Sequence, residues 1–223
     1  MERKIYCIFT AGGKGVRMGG AVPKQFLLLD GVPVLQRTIS RLVAAVPDMH
    51  VIVTLPSGSL PYWKGLCEEY VFDCPHQVVE GGIERFFSVR NALEKVPDGV
   101  TVMIHDGVRP FVSDGMIRRL LEAAEDNPAV IPVTKVTDTL RSAVQGRPAP
   151  DRSSVLAVQT PQVFRSEVIK EAYSKAYKPS FTDDASVAEE NGIPVTCVEG
   201  DRYNIKITAP EDLAVARALL RIR

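Results

Sequence analysis

Directly after the apolar run Ile5–Phe9, the stretch Thr10–Phe26 gathers Gly12, Gly13, Gly15, Gly19 and Gly20 around Lys14, Arg17 and Lys24. No acidic residue follows until Asp30. Glycines at the end of a strand let backbone N–H groups approach an anion closely, and the start of a following helix favours negative charge. Arginine adds a rigid fork of donors and lysine a compact point charge, both suited to phosphate oxygens. Pro23 restricts the backbone beside Lys24 and so helps set where that lysine points. The chemistry expected is binding of a polyphosphate; the competing reading is a plain turn with solvated cations. The spacing excludes two common nucleotide loops. Gly13-Lys14-Gly15 is followed three residues on by Met18, where a dinucleotide fingerprint needs a third glycine, and no Gly-Lys-Ser/Thr is present.

Three further stretches carry the same theme. In Val102–Phe111, Asp106 ends an apolar run and Arg109 follows three residues later. A carboxylate beside phosphates suits Mg²⁺, which takes one or two protein oxygens together with phosphates and water. The alternative is a turn-capping aspartate with Arg109 as its ion pair. His105 reads as a hydrogen-bonded structural histidine. Glu80–Val89 holds a second glycine turn, Gly81-Gly82, with Ser88 beyond it, able to meet a base edge through backbone groups. Asn204–Thr208 places Lys206 inside an apolar run, where its ammonium must reach water or an anion.

The elements that must position these residues alternate. Strand-length apolar runs occur at 4–10, 50–55, 77–80, 101–105, 129–133, 195–199 and 204–208. Helix-like stretches occupy 34–45, 60–70, 84–95, 115–126, 167–176, 183–191 and 210–221. Ile117, Leu120, Leu121 and Ala124 have the spacing of one buried helix face. Ser113 and Thr208 stand where helix N-caps belong, with Pro210 in the first turn after the second. Such alternation predicts a single α/β, Rossmann-like domain spanning 1–223, with a mostly parallel sheet and helices on both faces. In such sheets ligands gather at the carboxyl ends of the strands, where the glycine turns and Asp106 fall. From 138 to 159 the helical period lapses. Two extended runs, 139–144 and 155–158, flank the turn-rich Gln145–Ser154 and predict a projecting β-hairpin arm that a second subunit could cover.

Lysine plus arginine equals aspartate plus glutamate at 27 each, so no global charge draws the chain to nucleic acid or an anionic membrane. The N-terminal apolar run is too short for a signal-peptide core, and no run reaches membrane-spanning length. Cys7, Cys67, Cys74 and Cys197 have no zinc-site spacing; Cys7 and Cys197 read as buried free thiols, and the expected home is the cytoplasm.

In order along the chain stand Gly-Gly-Lys-Gly-x-Arg-Met from Gly12 with Pro23-Lys24-Gln25, Gly81-Gly82-x-x-Arg85-x-x-Ser88-Val89, His105-Asp106-x-x-Arg109-Pro110, Asp138-Thr139, Gln159-Thr160-Pro161-Gln162-x-Phe164, Thr182-Asp183-Asp184-Ala185-Ser186 and Asn204-Ile205-Lys206-Ile207-Thr208. This series resembles the 2-C-methyl-D-erythritol 4-phosphate cytidylyltransferases over nearly the whole chain. The resemblance implies a Mg²⁺-dependent, homodimeric enzyme that transfers the cytidylyl group of CTP to methylerythritol phosphate in isoprenoid biosynthesis. It implies that Arg17 and Lys24 stabilise the transition state, and that Lys206 orients the attacking phosphate. Ala11, Gly12, Gly13, Gly15, Gly81, Gly82 and Ser88 would surround the nucleotide, and Asp106 would bear the metal. Arg109, Thr139, Arg152, Thr160 and Lys206 would face the polyol phosphate, with Thr139 and Arg152 supplied by a partner's arm. Ile83 and Phe87 stand where many members carry polar or acidic residues. Two alternatives stay open on the sequence: transfer to ribitol 5-phosphate or another polyol phosphate, and a CTP-sensing module that has lost the reaction.

Overall fold

The computed structural model describes residues 4–13, 22–145 and 147–222. Ten strands are found among them: β1 (Ile5–Thr10), β2 (Leu28–Leu29), β3 (Val32–Pro33), β4 (His50–Leu55), β5 (Gln77–Glu80), β6 (Thr101–Asp106), β7 (Ala129–Lys135), β8 (Leu156–Val158), β9 (Gln162–Arg165) and β10 (Thr196–Glu199). The helices are α1 (Val34–Ala45), α2 (Leu60–Glu69), α3 (Arg85–Leu93), α4 (Asp114–Asp126), α5 (Ser166–Ser174), α6 (Asp184–Glu190) and α7 (Pro210–Ile222). The main sheet runs β10-β7-β9-β6-β1-β4-β5, with β8 paired to β7. All its pairings are parallel except those of β8 and β9. The mostly parallel, doubly covered sheet expected from the alternation is present.

Strand pleating divides the core. On β1 and β4, Cys7, Phe9, Val51, Val53 and Leu55 face one side, against α1, α2 and α4. Ile8 and Ile52 face the other, against Phe86 and Val89 of α3 and Ile169 and Tyr173 of α5. A third apolar cluster joins Leu29, Val108, Phe111 and Ile207 to Ala216 and Leu219 of α7. Burial pushes the Cys7 thiol up, as befits a packed, unpaired cysteine. Cys197, by contrast, is exposed, because β10 is an edge strand.

The chain leaves β1, crosses to β4 and β5 on one side, then returns to β6 on the other, so the direction of winding reverses between β1 and β6. Thr10 and Asp106 are register partners at the carboxyl ends of those two strands. This is the crevice position at which open α/β sheets bind ligands.

Three expectations about strands are corrected. First, β9 enters antiparallel between β6 and β7, a strand the apolar pattern hid because Gln162 is polar yet fully buried. Its amide is satisfied by giving a hydrogen bond to Asp183 and taking one from the Ala185 N–H. Second, Asn204–Thr208 forms no ladder. It lies across the end of the sheet, with the Ile207 N–H bonded to the Val108 carbonyl at 3.0 Å. Third, the arm's paired base is β7 with β8, in the register Val133–Val158, and Thr139–Val144 forms no strand. Ser113 caps α4 as expected, its hydroxyl accepting the Met116 N–H. Thr208 does not play that part for α7. There the Asp212 carboxylate reaches back to the Thr208 and Ala209 N–H groups.

Candidate active site

A cleft of about 720 Å³ opens at the switch point, walled by Ala11–Gly13, Lys24–Gln25, Glu80–Arg85, Ser88, Asp106 and Lys206 among others. Its volume lies within the usual range for small-molecule sites, roughly 300–1,000 Å³. Six of the residues expected around a nucleotide, Ala11, Gly12, Gly13, Gly81, Gly82 and Ser88, meet here. Gly15 and Arg17 fall outside the described residues.

The two glycine turns come together over Ser88. A Cβ at Gly81 would lie 2.9 Å from its Oγ, and one at Gly12 would lie 3.6 Å from it. The Ser88 hydroxyl accepts the Gly82 N–H at 3.1 Å and donates to the Glu84 carbonyl at 3.2 Å. Gly82 is also required sterically, because a side chain there would drive its Cβ to 2.2 Å from that of Phe87.

Lys24 is aimed by its neighbours. Phe26 is buried, stacked 6.1 Å from Trp63, and the Gln25 amide donates to the Ala11 carbonyl at 2.8 Å. With the next two side chains anchored inward, Lys24 is left on the cleft wall, its stem passing Gly13. Lys206 is set in the same way. Asn204 is fully buried and donates to the Thr160 carbonyl at 2.8 Å, while Ile207 inserts into the third apolar cluster. Of the two residues between them, Ile205 packs on the same cluster and Lys206 faces the cleft.

Lys206 Nζ and Arg109 Nε both lie 3.0 Å from Oδ2 of Asp106. Burial would raise the Asp106 carboxyl, but Lys206, Arg85 and Arg109 together hold it well below the usual carboxylate range. It is a fixed negative charge inside a cationic wall.

Arg109 is not part of the cleft lining. It lies behind Asp106 and donates to the Asn204 carbonyl at 2.8 Å, so it buttresses both Asp106 and the Lys206 segment. Thr160 is likewise internal. Its hydroxyl accepts the Asp106 N–H at 3.0 Å and meets His105 Nδ1 at 3.0 Å. His105 Nε2 contacts the Arg109 carbonyl, which can only accept, so Nε2 carries the proton and Nδ1 accepts from Thr160. Burial lowers the His105 pKa to about 4, keeping the ring neutral and structural, as the sequence reading expected. Thr139 and Arg152 are exposed on the arm and do not line the cleft of their own chain. Arg152 instead donates to the Thr137 carbonyl at 2.9 Å.

Sequence reasoning missed Gln25 and Arg85 as site residues. Arg85 lines the cleft and forks onto the fully buried Asp184 at 2.7 and 2.6 Å. Its signal was its place within the second glycine motif. Among the described residues no cluster of three metal-ligating side chains occurs, and none of their helices is long and apolar enough to cross a membrane.

The family model of IspD, 2-C-methyl-D-erythritol 4-phosphate cytidylyltransferase, matches residues 5–222. The protein of that name from Porphyromonas gingivalis is 49% identical over 222 residues, covering 99% of each chain. Among solved structures, 4-diphosphocytidyl-2C-methyl-D-erythritol synthase from Anaerococcus prevotii superposes with a TM-score of 0.81 at 29% identity, covering 98% of this chain and 99% of that one. The cytidylyltransferase of Thermus thermophilus superposes at 0.75 with 34% identity, covering 99% and 100%. By the match of its whole length and the fold it shares with them, the chain belongs to the 2-C-methyl-D-erythritol 4-phosphate cytidylyltransferase family.

Proposed function

We propose that the cleft joins CTP to 2-C-methyl-D-erythritol 4-phosphate, releasing pyrophosphate and giving the cytidylyl-polyol of isoprenoid biosynthesis. The observation that carries this reading is the convergence of Lys24, Asp106 and Lys206 on one cleft whose remaining walls are glycine turns. An oxygen of the polyol phosphate attacks the α-phosphorus of CTP in line. A new P–O bond forms, the bond to the β-phosphate bridging oxygen breaks, and pyrophosphate departs with that electron pair. The attacking oxygen is already anionic, so no side chain need serve as nucleophile. Positioning and neutralisation of developing charge remain for the protein.

Backbone N–H groups of the two glycine turns receive the nucleotide, with Ser88 fixing the base-side turn. Lys24, and Arg17 from the same glycine-rich stretch of sequence, neutralise the triphosphate as charge shifts to the leaving group. Lys206 orients the incoming phosphate. Asp106 offers one hard carboxylate, the donor that Mg²⁺ uses alongside phosphate oxygens and water, and its Oδ1 is left clear of the two ion pairs on Oδ2. When bound there, Mg²⁺ would supply charge neutralisation across the triphosphate.

Thr139 and Arg152 do not line their own chain's cleft, and Leu156 and Val158 stand exposed on β8. Both features support a homodimer in which each arm reaches the other subunit's polyol site. Four free cysteines support a cytoplasmic home.

The test is pyrophosphate release from CTP with Mg²⁺, run in parallel with 2-C-methyl-D-erythritol 4-phosphate and with ribitol 5-phosphate. Release with the first alone is expected. Release with ribitol 5-phosphate alone would overturn the substrate assignment, and silence with both in a CTP-binding protein would overturn the reaction.

A further inference from the structure

The base-side turn has a support that lies outside the cleft. Helix α3 begins at Arg85 with no side-chain cap and no acidic residue in its first turn. Capping therefore does not fix where α3 starts, although Gly81, Gly82 and Ser88 all depend on that point. The guanidinium of Arg85 does fix it, by crossing to Asp184, the first residue of α6, with two bonds of 2.7 and 2.6 Å.

Asp184 is a rigid post. It is fully buried, and Tyr173 of α5 donates to its Oδ1 at 2.6 Å. The start of α6 is itself held by a capping box at Asp183–Ser186 and by the buried amide of Gln162 on β9. The ring of Tyr173, whose hydroxyl bonds Asp184, is itself stacked on Phe86 at 4.7 Å. The Arg85 side chain keeps 31% of its surface exposed, on the cleft side.

A buried ion pair is a poor way to gain stability, since apolar residues of similar volume serve as well or better. Its distinct property is directional: a planar fork on a fixed carboxylate permits one placement of the helix start. We propose that Arg85 is a positioning residue for the nucleotide, acting through the Gly81–Ser88 turn, with Asp184 as the post that holds it. This inference rests on the cytidylyl-transfer reading, because it assigns that turn to CTP.

The experiment measures CTP binding by calorimetry and steady-state pyrophosphate release for wild type, Arg85→Lys, Asp184→Asn and the double variant, with thermal melts for each. Arg85→Lys keeps a cation opposite Asp184, so no buried carboxylate is stranded, yet it removes the fork. Each single variant should weaken CTP binding by about tenfold, and the double should be no weaker than the worse single, because both break one strut. The KM for the polyol phosphate and kcat should each move less than about threefold, the signature of lost nucleotide binding alone.

A merely structural strut would lower the melting temperature and leave the CTP affinity of the folded protein unchanged, which overturns the proposal. So would effects that multiply in the double variant. Should either single variant fail to fold, Tyr173→Phe loosens the post while keeping the pair and the ring. It should weaken CTP binding about two- to threefold, and unchanged binding overturns the proposal. Wild-type protein that binds no CTP would overturn the transfer reading itself. Wild type that binds CTP normally while Arg85→Lys does the same would overturn only the role of Arg85.

Discussion

Lys206 and Asp106 form an ion pair of 3.0 Å across the cleft, although they lie a hundred residues apart in sequence and on separate elements. Lys206 sits on a segment laid over the sheet's end, and Asp106 on the last residue of a central strand. The pair fixes the lysine on the cleft wall, and in the proposed reaction Asp106 would serve as the counter-ion of Lys206 until a phosphate arrives.

Lys206→Ala should therefore lower kcat by about 10²-fold, the scale of losing one charge-stabilising donor, with the KM for CTP little changed. Steady-state pyrophosphate release at saturating CTP checks this. Turnover within threefold of wild type would remove Lys206 from the chemistry.

Lys24 is anchored through Phe26, Gln25 and its own carbonyl, which accepts the Leu27 N–H at 3.3 Å; none of these needs its side chain, so replacing it should leave the fold intact. Lys24→Ala should cost turnover about 10²-fold or more, with a melting temperature close to wild type. Near-normal turnover would mean that the cation on the cleft wall serves another purpose.

The arm assignment predicts a crossed result. Arg152→Ala should raise the KM for the polyol phosphate more than that for CTP. If Arg152 acts on the partner's site, subunit exchange between Lys24→Ala and Arg152→Ala proteins creates one site with both residues intact in each mixed dimer. Statistical exchange then restores about a quarter of wild-type sites, read at low polyol phosphate. Arms that serve their own subunit would give no restoration.

The sheet and helices were legible because pleat and helix periods report burial directly. Val34–Ala45, His50–Leu55 and Gln77–Glu80 have the same bounds in the sequence reading and in the structure. The glycine turns and Asp106 were legible because strand ends in such a sheet share one edge, and Lys24 and Lys206 because cations stand out in a glycine-rich stretch and in an apolar run. Residues whose partners are distant in sequence were not. Nothing local tells that Thr160 turns inward to His105 or that Arg85 finds Asp184 across 99 positions, whereas the Arg109–Asp106 ion pair, three residues apart, was legible as the alternative to a metal-bearing aspartate. β9 was hidden for a related reason: its first residue, Gln162, escapes apolar periodicity, being buried through hydrogen bonds instead.

Asp212 gives a pH-dependent prediction. Burial would raise its pKa, but bonds from the Thr208 N–H at 2.7 Å, the Ala209 N–H at 2.9 Å and the Thr208 hydroxyl at 2.8 Å, with the charge of Lys24, hold it below the usual value. A carboxyl depressed in the folded state contributes stability above its unfolded pKa, near 4, and loses it as pH falls through the folded value. Asp212→Asn should thus cost about 1 kcal/mol at pH 7 and progressively less below about pH 4. Urea unfolding of both proteins at several pH values checks this, and a constant difference across the range would contradict it.

Val71 is the clearest site for stabilisation. It follows the C-cap of α2 with φ at 49°, a left-handed conformation that strains a β-branched residue. The turn closes α2 through the Phe72 N–H to the Cys67 carbonyl at 2.8 Å and the Val71 N–H to the Glu68 carbonyl at 3.4 Å. That is the helix-ending pattern in which glycine is preferred at this position. The valine side chain is 83% exposed, so little packing is lost with it. Val71→Gly relieves the strain but loosens the unfolded chain, leaving a net gain of about 1 kcal/mol. In a domain of this size that raises the melting temperature by about 2–4 °C. Calorimetry of the two proteins decides it: a lower melting temperature for Val71→Gly would show that the valine is held there by contacts stronger than its strain.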